Sequence, residues 1–430
     1  MDEPVFTNDA TVFGLLMLVL AVVFATSSSS HPAARRFYRF VPPLLLCYFL
    51  PALLHWPLGL ISGAEVPLYK PLASRYLLPA SLILLCISID LKGLMRLGPK
   101  SLIMFAAATV GIVIGGPVAL LLVSAIAPDA LGADPANLWR GMSTLAGSWI
   151  GGGANQAAMK EIYQVSNEVF SALLIVDVVV ANLWMGCLLY GAGCAAGIDR
   201  WLQADTSAIH ALTAKAEAYQ AETARIPTVA DLFKVLAVAF GGTALAHWGA
   251  DHLTPWFEQW NTATIRAEHP GGSLAAWGLS SAMSGFFWLI VLATTIGFAL
   301  SFTRLRNVES VGASRVASVF IYILVATIGM QMNLREVGRN LGLFAVGIVW
   351  MLVHVTVLLV TAKVIRAPFF FVAVGSQANV GGAASAPVVA SAFSPALAPV
   401  GALMAVLGYA LGTYGAILCA ELMRLASPGS

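Results

Sequence analysis

Gly147-Ser-Trp-Ile-Gly-Gly-Gly-Ala-Asn-Gln156 and Gly375-Ser-Gln-Ala-Asn-Val-Gly-Gly-Ala-Ala-Ser385 place glycine, amide and hydroxyl side chains inside apolar segments long enough to span a bilayer. Glycine costs about 1 kcal/mol in a helix interior. Hydrocarbon offers no water to backbone groups released by unwinding, so such stretches survive where they line a cavity or bind something. One interruption in each half of a chain is the pattern of a secondary transporter.

The surrounding composition agrees. Of 430 residues, 59% are hydrophobic and 10% charged, with a mean hydropathy of +0.84. Soluble domains carry roughly a quarter charged residues. Apolar stretches of about 20 residues recur without the alternation of a barrel, which predicts an all-α polytopic membrane protein whose first partner is the lipid bilayer. The net charge of +2 implies no nucleic-acid partner. Cys47, Cys86, Cys187 and Cys419 fall inside apolar segments and Cys194 at a segment end, with no metal spacing, so they read as packing residues. The opening Met1-Asp-Glu-Pro is acidic where a secretory signal is basic, and the first apolar run reads as a retained helix.

Crossings are expected near 11–27, 42–61, 72–91, 101–127, 139–165, 167–192, 229–250, 279–302, 313–332, 341–362, 367–392 and 397–423, about 11–13 in all. The chain divides into a first transmembrane half, 1–192, a polar linker, 193–228, with an amphipathic helix over Ala211 to Arg225, and a second half, 229–430. Ser74-Arg75 aligns with Ser314-Arg315 and Gly152-Gly153 with Gly381-Gly382, in the same order, which points to two related halves. The positive-inside rule puts Arg35, Arg36, Arg39, Lys92, Arg96 and Lys100 inside, with Asp129 and Asp134 outside, and Arg304, Arg306, Arg315, Lys363 and Arg366 inside again. That assignment runs the two interrupted helices in opposite directions, an inverted repeat, whereas six crossings per half would make them parallel. One crossing is therefore miscounted, and the glycine-rich run Gly241 to Gly249 with the aromatic loop Trp256 to Trp260 is the expected place.

Asp177 lies near the centre of the crossing Val169 to Asn182. An ionised carboxylate at that depth costs about 3 kcal/mol unless it meets a partner, water or an ion, which makes Asp177 the candidate coupling group for a proton or ion, with Asn182 beside it. Its competing reading is a protonated side chain bonded to a neighbouring helix. In the first interruption Ser148, Gly151, Gly152, Gly153, Asn155 and Gln156 offer neutral donors, acceptors and freed backbone groups; in the second, Ser376, Gln377, Asn379, Gly381, Gly382 and Ser385 do the same. Close helix crossing explains the glycines but not the amides and hydroxyls beside them. His354, mid-helix, reads equally as a proton relay or an interhelical bond. Gln331, Asn333 and Asp90 read first as caps, Lys160 and Glu161 as a gate pair or a solvated helix end, and Trp56, Trp139, Trp256 and Trp260 as belt residues. No Walker loop, HExxH, GxSxG or Cys/His metal set appears, so neither an enzyme nor an ATP-driven pump is expected, and no cofactor beyond Na+ or H+ as a coupling ion.

At Gly147 to Asn155, Gly375 to Gly382, Thr294-Thr-Ile-Gly297 and Ile328-Gly-Met330, the chain resembles the YjcL-like family of uncharacterised integral membrane proteins. That family is grouped by architecture with the cation:proton antiporter and anion transporter superfamily, which includes sodium/bile-acid symporters. The resemblance implies a panel domain packed on a core of two crossed broken helices, alternating access, and often a homodimer through the panel. In antiporters of the superfamily acidic residues follow the first broken helix, the place Asp177 occupies. The paired-Asp motif is absent and Asn155 and Gln156 are neutral, which favours symport of a small polar or anionic organic solute in a bacterial inner membrane. A cation/proton antiporter using Asp177 and a non-transporting regulatory or assembly protein stand as alternatives.

Overall fold

A computed structural model describes residues 4–38, 41, 43–90, 95, 97–128, 138–205, 228–262, 283–331, 342–394 and 397–427. The expected linker helix over Ala211 to Arg225 lies outside these residues, as do Arg39, Lys92, Arg96, Asp129, Asp134 and Asn333.

The described residues are helical almost throughout, with no strand among them. In chain order the helices are α1 (Asp9–Ser27), α2 (Pro43–His55), α3 (Tyr69–Ile87), α4 (Pro99–Ile126), α5 (Leu138–Gly151), α6 (Gly153–Ile162), α7 (Asn167–Gly193), α8 (Ala195–Leu202) and α9 (Val229–Trp260). They continue as α10 (Gly285–Leu300), α11 (Ala313–Gly329), α12 (Leu343–Ile365), α13 (Phe369–Val380), α14 (Gly382–Phe393) and α15 (Ala398–Ala426). Among the described residues seven helices are long and apolar enough to cross a membrane; an eighth is added if α10 and the segment Arg304–Val311, bent by 95°, count together. The protein is a multi-pass membrane protein.

Contacts at the helix ends sort them onto two faces. On one face, Lys100 pairs with Asp205 at 3.5 Å and donates to the Arg366 carbonyl, Asp90 pairs with Arg306 at 2.8 Å, and Ser88 donates to Glu309. On the other, Val5 and Phe6 bond the backbone of Gly59 and Leu60, a cavity gathers His55, Gly63, Gln164, Asn167 and Gln331, and the Tyr163 hydroxyl donates to Glu421 at 3.2 Å. The Phe257 and Trp288 rings, 4.7 Å apart, join the end of α9 to the start of α10 on this second face. Among the described residues ten helices connect the two faces, five before the linker (α1, α2, α3, α4, α7) and five after it (α9, α10, α11, α12, α15). The described basic residues that the charge bias grouped together all fall at the first face.

The remaining two expected crossings do not cross. Were 139–165 one interrupted span, Trp139 and Tyr163 would lie about 36 Å apart at 1.5 Å per residue. Instead their rings are 5.4 Å apart, Arg140 donates to the Tyr163 carbonyl, and a Cβ on Gly147 would sit 2.6 Å from the Asn155 carbonyl oxygen. α5 and α6 are therefore an antiparallel hairpin that enters and leaves at the second face. α13 and α14 repeat the device from the first face: the Phe393 ring returns to 5.3 Å from Phe370 and 6.1 Å from Phe369. The single-residue reversals rest on Gly152 (φ 76°) and Gly382 (φ 60°), a region that a side chain with a Cβ reaches only at a cost. This corrects the reading of broken helices that span the membrane, and it removes the conflict between charge and count. The miscount lay at the interruptions themselves. The supposed aromatic loop Trp256 to Trp260 is the last turn of α9, which runs unbroken through Gly241 and Gly249.

Candidate functional site: two opposed hairpin tips

The tips of the two hairpins meet on α15. A Cβ on Gly408 would lie 2.7 Å from the Ile150 carbonyl oxygen and 3.4 Å from that of Ala378, and one on Gly412 would lie 2.5 Å from the Gly151 Cα. Polar side chains of both interruptions are buried around this junction, as Ser148, Asn155, Gln156, Ser376, Gln377 and Asn379 all show.

Asp177, on α7, is buried and receives three hydrogen bonds, all from the first hairpin: Ser148 Oγ at 2.6 Å and Gln156 Nε2 at 2.9 Å on one oxygen, Trp149 Nε1 at 2.7 Å on the other. The donors come from both arms, Ser148 and Trp149 from α5 and Gln156 from α6, so the carboxylate ties the hairpin shut. All three are neutral, and among the described residues Asp177 has no ion-pair partner. Tyr48 of α2 extends the chain by donating to Gln156 Oε1 at 3.4 Å. Asn182, expected to share this role, instead donates to the Val178 carbonyl of its own helix at 2.7 Å and takes no part.

The second hairpin meets a histidine where the first meets an acid. His354 Nδ1 lies 3.0 Å from the Ala108 carbonyl, which can only accept, so Nδ1 carries the proton. Nε2 lies 2.8 Å from Ser376 Oγ, and Trp184 Nε1, a donor only, points at the same oxygen from 2.8 Å. The directions then close: Trp184 donates to Ser376, Ser376 to His354, and His354 to Ala108, with a neutral ring. The interhelical bond is the reading the geometry carries for His354.

Two asparagines make matching clamps. Asn155 Nδ2 donates to the carbonyls of Gly151 and Tyr409, both at 3.1 Å, while its oxygen accepts from Thr413 Oγ1 at 2.6 Å. Asn379 Nδ2 donates to the carbonyls of Gly375 at 3.0 Å and Phe105 at 3.3 Å, and its oxygen accepts from Thr109 Oγ1 at 2.8 Å. In each, the amide bonds the carbonyl four residues back in its own hairpin, a carbonyl of a crossing helix, and the threonine one turn along that helix. Thr294 extends the first clamp by pairing with Thr413 at 2.9 Å.

At the second tip Gln377 Nε2 donates to Ser385 Oγ at 2.8 Å across the hairpin, and Gln377 Oε1 is buried without a hydrogen-bond partner. A Cβ on Gly381 would come within 1.7 Å of Ser385 Oγ, so this pair requires the glycine beside it. Gly153 only opens α6. Gln331 lies away from the tips, lining the cavity at the second face, and Asp90 is an ion-pair partner of Arg306. Lys160 and Glu161 form no ion pair; the Lys160 ammonium stands over the rings of Tyr69 and Phe170 at 4.8 and 5.5 Å. Trp139 is 5% exposed and belongs to the interior, unlike Trp256 at 56%. Of the cysteines, Cys47, Cys86 and Cys419 are packing residues, whereas Cys187 and Cys194 are exposed.

Sequence reading missed Tyr48, Thr109, Trp149, Trp184, Tyr409 and Thr413. For Trp149 and Trp184 there was a signal: an indole N–H deep in an apolar segment must find an acceptor.

Residues 14–426 match the model of a family described as Protein of unknown function (DUF819). The chain belongs to that family. A relative of this DUF819 protein, the "Uncharacterized membrane protein YjcL" of Bacillus subtilis (strain 168), is 24% identical over 375 residues, covering 82% of this chain and 83% of its own. The span matched by the family model takes in both hairpins and every residue of the two networks.

Proposed function

We propose that this DUF819 protein is a secondary active transporter of a small polar or anionic organic solute, driven by sodium or protons, in a bacterial cytoplasmic membrane with the basic face inside. The observation that carries this reading is the pair of hairpins entering from opposite faces and meeting on α15 with buried, neutral hydrogen-bonding side chains. Opposed re-entrant elements give a midplane site two separate routes out, one along each hairpin. Irregular backbone at that depth is tolerated where it lines a substrate path. Five crossings in each half among the described residues support an inverted repeat, which needs an odd number; that kinship, a panel and core division, and a homodimer belong to the same proposal.

Asp177 is the coupling group in this scheme. Its carboxylate holds both arms of the first hairpin through three donors, so loss of its charge to a proton, or its engagement by a cation, changes the grip on the hairpin and couples the ion to movement of the tip. The same feature supports a second reading, a cation/proton antiporter, because a buried carboxylate without an ion-pair partner is what such exchange uses. Flux in proteoliposomes separates them. Solute uptake driven by a sodium or proton gradient and lost in Asp177→Asn supports the symporter, cation-driven proton movement without any solute supports the antiporter, and neither flux in wild type sinks both.

A further inference from the structure

A cavity of about 490 Å³ opens at the second face, between the loop after α2, the start of α3, the end of α6 and the end of α11. It belongs to neither hairpin-tip network, and its volume suits a small organic ligand. Two features of its lining are unusual. Lys160 is 5% exposed, and among the described residues no carboxylate lies within ion-pair distance of it; the faces of Tyr69 and Phe170, with Glu161 and Glu168 acting from farther off, stabilise its ammonium. The Tyr69 hydroxyl is buried and makes no well-formed hydrogen bond, and the Glu161 carboxylate stands beside it, close enough to interact with it. Burying an ammonium and a phenol with so little compensation is costly, and an anion seated in the cavity would satisfy both. Lys70, exposed at the rim, adds a second positive charge, and Glu161 a single negative one.

We propose that this cavity binds the carboxylate of a small organic solute, with Lys160 supplying the opposite charge and Tyr69 a hydrogen bond. The proposal names the substrate chemistry of the transporter reading and rests on that reading for its place in a cycle. The route onward is short: Gln156, one turn before Lys160 on α6, bonds Asp177 directly and takes the Tyr48 hydroxyl. A solute held at Lys160 therefore waits on the helix whose Gln156 donates to the coupling carboxylate of α7.

The test is the melting temperature of the purified full-length protein at constant ionic strength. The probes are propionate, succinate, L-alanine and L-alanyl-L-alanine, each against its carboxamide. A ligand that binds the folded state raises the melting temperature by mass action. The expected result is stabilisation by at least one carboxylate and not by its carboxamide. Affinity should weaken about tenfold or more in Lys160→Met and about threefold to tenfold in Tyr69→Phe. Tyr69→Phe keeps the ring and removes a hydroxyl that makes no well-formed hydrogen bond, so it keeps the fold and serves if Lys160→Met does not. Preference for the amino acids over propionate and succinate assigns Glu161 to an ammonium group and makes the ligand zwitterionic; the reverse makes it a plain carboxylate. Equal response to acid and amide, no response to any probe, or binding indifferent to both variants overturns the proposal. Binding in this cavity survives Asp177→Asn. Carboxylate binding that depends on Lys160 in a protein with no flux would therefore sink the transporter and leave the site, while flux without such binding would do the opposite.

Discussion

The two hairpins use one backbone device and different chemistry at its base. Each turns back at a glycine of positive φ, each is clamped by an asparagine to a crossing helix and its threonine, and each carries a serine facing a titratable residue. At the first tip that residue is Asp177, held by three neutral donors. At the second it is His354, whose hydrogen bonds already close with a neutral ring. A carboxylate bonded only by neutral donors responds strongly to a proton or cation; a neutral imidazole with both nitrogens satisfied does not need either. In the proposed transport scheme the first hairpin senses the ion while the second shapes the path.

The largest expected effect tests whether there are hairpins at all. Cysteines placed at Gln164 and Ala392, in a background lacking Cys187 and Cys194, should react with a membrane-impermeant maleimide from the second face and from the basic first face respectively. Labelling with those sides exchanged, as spanning helices would give, or from one side only, would break the comparison at its root. Next in size is the contrast in chemistry. Asp177→Asn should lower coupled flux on the order of 100-fold, and His354→Gln, which can still donate to the Ala108 carbonyl and accept from Ser376, less than tenfold; equal losses in proteoliposomes would refute the division of roles.

The clamps should behave alike. Asn155→Leu and Asn379→Leu each remove a hydrogen bond to a carbonyl of the crossing helix and one from its threonine, and each should cost about 2 kcal/mol in detergent unfolding. A large inequality would show that the matching geometry hides unequal load. Smallest are the turns: Gly152→Ala and Gly382→Ala should each cost about 1 to 2 kcal/mol through φ alone, since a Cβ at Gly382 meets no atom within 4 Å and at Gly152 only Tyr409 at 3.9 Å.

Much of the site was legible in the chain. Asp177, Ser148, Gln156, Asn155, Asn379, Ser376 and Gln377 stood out because polar groups are expensive in an apolar run, and all are buried where the hairpins meet. Their partners were not legible. Thr109 and Thr413 lie on long apolar helices in which a hydroxyl can bond its own helix, as Thr109 also does to Phe105, so a lone threonine carries no sign of an interhelical role. Asn182 shows the converse: its amide nitrogen bonds a carbonyl one turn back in its own helix and not Asp177.

Composition and periodicity by themselves determined that this chain is helical and lives in a bilayer, because burial in hydrocarbon selects apolar runs of a fixed length. Glycine spacing marked where two of those runs fail, and charge bias gave the orientation of the loops around them. What only the tertiary structure decided was the direction of the chain after each break. An interrupted helix that continues and one that turns back have the same hydropathy over the same residues. The choice rests on contacts far apart in sequence, Trp139 on Tyr163, Phe370 on Phe393, and both tips against the glycines of α15, which no local pattern encodes.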